Sequence, residues 1–263
     1  MTVTLESLCG NGLIDSALGG FVEDCDDGPA NGTPASCCAT DCYFKPTGTP
    51  CDDGNVCTLA ETCTAGVCGG GPVHTCPLCH TCDPTGGCMV GPRPTCKLPT
   101  KPGKALLALK DTSTNTGDRL SFAWSNGQTT AVGDFGDPLA TVDYALCLFD
   151  AGGALLLPPL TAPAGGTCGA KPCWKKLGRN GFRYENPLRD PDGTDTVMLR
   201  AGAQGKAKAK FDGKGAHLPP LGLPLALPVT AQLQAENGQC WAAGFSAAGV
   251  RNSDAGRFKG RSN

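Results

Sequence analysis

Fourteen of the eighteen cysteines fall between Cys9 and Cys96, about one every six residues. This density constrains the chain more than any other feature. The first hundred residues hold almost no continuous apolar run. Such a segment keeps a fold only if cross-links or metal ions replace the missing hydrophobic term. Cysteines this dense point to an oxidising compartment: secreted, periplasmic or surface-exposed. The other four, Cys147, Cys168, Cys173 and Cys240, are spread over the remainder. Fourteen and four are both even, which allows complete pairing within each part, while spacing alone does not give the partners.

Charge changes at the same place. Residues 1–100 carry eleven acidic and three basic side chains; residues 101–263 carry thirteen and nineteen. An acidic, cysteine-rich head favours cation binding over nucleic-acid binding, because it has few basic groups to meet phosphate. No stretch is long enough to span a bilayer. Met1–Leu8 has neither a basic start nor a long apolar run, so the expectation is a fragment or mature form of an exported protein.

Four segments follow: a cysteine-rich domain at 1–96, a Pro/Lys-rich linker at 97–104, an all-β body at 105–250, and a disordered basic tail at 251–263. In the head, Asn11, Asp15, Glu23, Asp24, Asp26 and Asp27 place hard oxygen donors in one loop system. Calcium takes six to eight such oxygens in flexible geometry. Cys76-Pro-Leu-Cys79-His80 has the spacing of c-type haem attachment, with His74 a second possible axial ligand. His74, Cys76, Cys79, His80 and Cys82 are also zinc-type ligands. Neither haem nor zinc is expected, since the field of neighbouring cysteines favours disulfides. All of Cys9, Cys25, Cys37, Cys38, Cys42, Cys51, Cys57, Cys63, Cys68, Cys76, Cys79, Cys82, Cys88 and Cys96 are read as disulfide partners.

The run CGNG…EDCDDG…SCCATDCYFKPTGTPCDDGNVCTLAETCTAGVC, Cys9 to Cys68, resembles the disintegrin-like domains of metalloproteases. It is still more similar to cysteine-rich repeats of bacterial surface and secreted proteins, especially those of myxobacteria. The resemblance covers about a quarter of the chain. It implies a calcium site with Asn11, Asp15, Glu23 and Asp26 as side-chain ligands and main-chain oxygens near Leu8 and Leu13. Ser16–Val22 is longer than the pattern requires. The family's integrin-binding loop corresponds to Cys51–Cys63, which lacks Arg-Gly-Asp, so integrin binding is not expected.

From Ala105 onward, short alternating runs recur between turn residues, which predicts antiparallel strands. Nine are expected: Leu106–Lys110, Leu120–Ser125, Val142–Phe149, Cys173–Lys176, Phe182–Glu185, Thr196–Arg200, Lys206–Phe211, Val229–Gln234 and Gln239–Phe245. Together they read as a β-sandwich. The proline-rich Leu218–Pro228 suits an extended segment over a sheet edge. A Cys147–Cys240 pair would staple distant strands and leave Cys168–Cys173 as a local loop. Trp124, Trp174 and Trp241 are expected in the core, with an exposed sugar-stacking face as the alternative. Asp134-Phe-Gly-Asp-Pro138, Pro172-Cys-Trp174 and Cys240-Trp241 are similar to an uncharacterised module that often ends the same bacterial proteins, from which no activity follows.

No catalytic signature appears. His217 stands alone in its loop, and Asp134 and Asp137 are explained by turn formation. The first expectation is therefore a non-enzymatic secreted or cell-surface protein with a calcium-binding head, engaged in adhesion, recognition or structural presentation of a protein or glycan ligand. The alternatives are an exported hydrolase or carbohydrate-binding module built on the sandwich, and a monohaem carrier.

Overall fold

The computed structural model describes residues 9–15 and 22–263. The chain divides into two compact units. The first comprises Met1–Thr75 and Cys82–Gly87, the second Cys76–Thr81 and Cys88–Asn263.

The first unit is mostly turns. Its regular hairpin, β1 (Thr62–Thr64) and β2 (Val67–Gly69), turns through Ala65 and Gly66, both at positive φ. Five disulfides hold it: Cys9–Cys42, Cys25–Cys38, Cys37–Cys63, Cys51–Cys68 and Cys57–Cys82. Its buried apolar clusters consist of cystines, Cys25, Cys38 and Cys42 in one and Cys37, Cys51 and Cys63 in the other. Cross-links thus do the work of a core that this composition cannot supply. A second hairpin pairs β3 (His80–Asp83) with β4 (Gly87–Val90).

The second unit carries fourteen further strands. They are β5 (Ala105–Lys110), β6 (Arg119–Gly127), β7 (Tyr144–Phe149), β8 (Leu160–Ala162), β9 (Thr167–Cys168), β10 (Lys171–Pro172) and β11 (Trp174–Lys176). Then come β12 (Gly181–Glu185), β13 (Thr194–Arg200), β14 (Ala207–Lys214), β15 (Val229–Ala235), β16 (Cys240–Phe245), β17 (Val250–Asp254) and β18 (Arg257–Arg261). One antiparallel sheet has the order β11-β12-β13-β14-β6-β5-β18-β17, and another β16-β15-β7-β8. All nine strands expected from alternation are present. The short β8, β9 and β10 and the terminal pair β17–β18 are not among them. The basic segment expected as a disordered tail is β18, paired with β5 from Arg257↔Lys110 to Arg261↔Leu106. Its Phe258 is fully buried, which anchors it.

Alternation sets the inner face of the larger sheet. In β14, Ala207, Ala209 and Phe211 are buried while Lys208 and Lys210 are exposed. The inner residues of both sheets form one cluster that includes Phe122, Trp124, Tyr144, Phe211, Leu233 and Trp241. Each large apolar side chain removed from water contributes on the order of 1.5–3 kcal/mol. Leu218, Leu221 and Leu225 of the proline-rich segment join this cluster without forming a strand. Packing is tight at the end of β6, where a Cβ on Gly127 would lie 1.7 Å from the Trp124 ring.

The smaller sheet departs from alternation. β7 is buried at all six positions and β15 at six of seven. Its second face is covered by parts of the cysteine-rich stretch that belong to this unit. Gln234 accepts the Cys79 N–H at 2.8 Å, and the Arg93 guanidinium donates to the carbonyls of Ala235 and Cys76 at 2.8 and 3.0 Å. Two disulfides fix this cover, Cys79–Cys147 and Cys96–Cys240. The expected Cys147–Cys240 pair is therefore corrected: each of these cysteines bonds instead to one from the first stretch, so pairing is not complete within each part. Cys76–Cys88 and Cys168–Cys173 complete nine disulfides, with no free cysteine. Residues 97–104 are bonded along the second unit: the Lys97 N–H donates to the Cys240 carbonyl at 2.8 Å and the Thr100 N–H to Asn126 at 2.8 Å. They are not a free linker.

Candidate cation sites in the cysteine-rich unit

The proposed ligands of the first loop separate into two groups. Asp26 is the anchor of one. Gly10 and Gly12 adopt positive φ and bend the chain so that successive amides converge. The N–H groups of Gly10, Asn11 and Gly12 donate to Asp26 Oδ2 at 2.9, 3.0 and 3.1 Å. Gly28 N–H and Asn31 Nδ2 donate to Oδ1, each at 2.8 Å. Burial works to raise the Asp26 pKa, but these donors outweigh it and hold the carboxyl below the usual aspartate value. Its lone pairs are engaged by the loop itself.

Asn11, Asp15 and Glu23 form the other group. Asn11 Nδ2 donates to Asp15 Oδ2 at 3.0 Å, and the Asp15 N–H donates to Glu23 Oε2 at 2.9 Å. Glu23 is 3% exposed, and its Oε1 has no partner among the described residues. Its carboxylate also approaches the sulfurs of the Cys9–Cys42 disulfide, which offer no ligand in that state. Leu13 is exposed. Leu8 and residues 16–21 lie outside the described residues.

A second carboxylate cluster escaped the sequence reading. Asp52 and Asp53 follow Cys51, and the Cys51 N–H donates to the Glu61 carbonyl at 3.1 Å. The Cys51–Cys68 and Cys37–Cys63 disulfides fix both sides of this contact. One carboxylate oxygen from each of Asp52, Asp53 and Glu61 lies within 4.8 Å of the others. Asp52 Oδ1 and Asp53 Oδ1 accept the N–H groups of Gly54 and Asn55, each at 2.8 Å. Their other oxygens are left for a further partner. Glu61 is 6% exposed, and its Oε1 is buried with no partner among the described residues. Three carboxylates this close repel one another, and a buried one lacks solvation. A hard divalent cation removes both penalties. The Asp52-Asp53-Gly-Asn run reads as turn chemistry in sequence, and only the burial of Glu61 distinguishes it.

The sulfurs that haem or zinc would need are already joined elsewhere. Cys76 pairs with Cys88, Cys79 with Cys147 and Cys82 with Cys57. In the second unit, Trp124, Trp174 and Trp241 are at most 2% exposed, so a stacking face is not built from them. Trp174 Nε1 donates to the Pro163 carbonyl and Trp241 Nε1 to Thr130 Oγ1. His217 Nδ1 lies 4.0 Å from the exposed Asp190 carboxylate, beyond hydrogen-bond reach, and 3.2 Å from the Arg189 carbonyl. Asp134 binds Lys97 at 2.6 Å and the Ala131 N–H at 2.8 Å, while Asp137 accepts the Leu139 N–H. A cavity of about 490 Å³ beside Trp174 contains Glu185 and Asp195. Both carboxylates are tied up in ion pairs, Glu185 with Lys175 and Arg183 and Asp195 with Arg189 and Lys214.

Among the described residues, no helix is long and apolar enough to cross a membrane. Nine disulfides without a free thiol indicate an oxidising environment. No family model matches the chain, and no curated protein or solved structure matches it.

Proposed function

We propose that this is a secreted or cell-surface protein that works by adhesion, recognition or structural presentation rather than catalysis. Its cysteine-rich unit is a disulfide-stapled, calcium-binding head, and the two sheets of the second unit form a β-sandwich body. The observation that carries the calcium reading is the convergence of Asp52, Asp53 and the buried Glu61, with Glu61 Oε1 lacking a partner among the described residues. The orphaned Oε1 of Glu23 supports a second site in the first loop, with Asn11 and Asp15 beside it. Asp26 shapes that loop and is not among its ligands. Disulfides fix the loops that carry these carboxylates, so a bound ion stiffens an already closed frame.

Isothermal titration of calcium into the oxidised, chelator-treated chain tests this reading. Saturable binding is expected, weakened by Glu61→Gln at one site and by Glu23→Gln at the other. No binding heat at millimolar calcium would overturn it.

A further inference from the structure

The outer face of the larger sheet carries a row of like charges. The strand register sets Lys214 opposite Arg119, Arg119 opposite Lys110, and Lys110 opposite Arg257. Each of these positions adjoins a buried one, namely Gly213, Leu120, Leu109 and Phe258. All four cations therefore stand on the same outward side. Neighbouring strands are about 4.8 Å apart, so the row is about 14 Å long.

Like charges directly opposite across strands destabilise a sheet. A surface selected only for solubility intersperses the two signs. Here Lys214 alone is neutralised by an ion pair, with Asp195 at 2.9 Å, and Asp212, which shares the groove beside Arg119, pairs with Lys210. Lys110, Arg119 and Arg257 are exposed and make no ion pair among the described residues. Asp254 stands opposite Arg257 on β17 and keeps its charge while its Oδ1 accepts the Gly256 N–H, so the row ends there against an acid. The same face repeats the pattern at its other end, where Arg200 is opposite Lys208. That pair borders a cavity of about 680 Å³ also lined by Arg179 and Lys206 and by no acidic side chain.

We propose that this face binds an acidic polysaccharide, with the Lys214–Arg119–Lys110–Arg257 row meeting successive carboxylate or sulfate groups. An evenly spaced row fits a linear polyanion. Guanidinium and ammonium groups recognise carboxylate and sulfate directly. Neither the row nor the cavity presents an aromatic side chain on which a base could stack. Acidic glycans are among the polyanions of an oxidising, extracellular setting, and the test below separates them from nucleic acid and anionic lipid. The assignment rests on the recognition reading above for its compartment and is independent of the calcium sites.

The test is binding of the full oxidised chain to immobilised polygalacturonate and dextran sulfate at low salt, with chelator present so that calcium cannot bridge. Lys110→Gln, Arg119→Gln and Arg257→Gln are combined in one variant. A control variant combines Lys101→Gln, Lys104→Gln and Lys171→Gln, which are exposed and outside the row. The wild type is expected to bind at least one of the two polymers and to weaken as salt is added. The row variant is expected to lose at least about tenfold in affinity and the control less than about threefold. The proposal is overturned if the wild type binds neither polymer or if the two variants lose equally. Tighter binding to single-stranded DNA or to anionic phospholipid vesicles than to either polymer also overturns it. None of these results touches the calcium titration, and failure of that titration leaves this retention intact.

Discussion

Gln232 and Arg93 hold each other by a reciprocal pair of hydrogen bonds. The Arg93 N–H donates to Gln232 Oε1 at 3.0 Å, and Gln232 Nε2 donates to the Arg93 carbonyl at 2.9 Å. Both residues are buried, and Gln234 extends the network by donating to Gln232 Oε1 at 2.7 Å. Burial lowers the Arg93 pKa, and among the described residues its guanidinium is answered only by carbonyl oxygens. Gln232→Ala leaves a backbone donor and acceptor without partners, at a cost of about 1–3 kcal/mol. A lowered urea midpoint with an unchanged slope is the expected result. An unchanged midpoint would show that the cover over β15 does not need this pair.

The two disulfides that fix the cover should dominate cross-link energetics in the second unit. Cys96–Cys240 closes a separation of 144 residues, and Cys168–Cys173 one of five. In the chain-entropy picture these are worth about 5 and about 2 kcal/mol. Replacing Cys96 and Cys240 by Ser should lower the thermal midpoint clearly more than replacing Cys168 and Cys173. Calorimetry of the two double variants checks the order.

Tryptophan emission gives a direct check on the core. Trp124, Trp174 and Trp241 lie within the same apolar cluster. Native emission should be blue-shifted and resist quenching by iodide, and both properties should vanish in denaturant. Strong quenching in the native state would restore an exposed aromatic face to consideration.

Asp26 makes the first loop sensitive to acid. Its folded pKa lies below the usual aspartate value, so its contribution is fully present above that value. It is lost as pH falls through the lowered folded pKa. Hydrogen exchange at the Gly10 and Gly12 amides should therefore lose protection on acidification below the usual aspartate range. In Asp26→Asn that protection should already be reduced at neutral pH. Equal protection in the variant and the wild type would contradict the role assigned to this carboxylate.

Residues of the larger sheet were legible because alternation there reports one dry face and one wet face. Lys208 and Lys210 flank the buried Ala209, as their order suggests. The smaller sheet was legible only in part. Gln232 and Gln234 read as a wet face, yet both are buried under a segment more than 130 residues earlier in the chain. That same long-range cover explains the disulfide error, since spacing carries no information about which stretch returns to which strand. In the head, Glu23 was singled out from its acidic loop. Glu61 was not, because its significance comes from burial beside Asp52 and Asp53 and not from a motif. β18 was mistaken for a tail because its one buried apolar side chain, Phe258, lies among basic residues, the other buried position being Gly260.

The most direct test of a calcium-stiffened head is thermal unfolding of the oxidised full chain, in about 5 mM calcium and in chelator, above the ~1 mM affinities of weak extracellular sites. A rise in the midpoint of the cysteine-rich unit is predicted, approaching the equivalent of about 2.7 kcal/mol if calcium reaches a hundred times its dissociation constant. Glu61→Gln should reduce that rise while leaving the transition of the second unit in place. Identical midpoints with calcium and with chelator would contradict the account and leave Asp52, Asp53 and Glu61 as an uncompensated acidic loop.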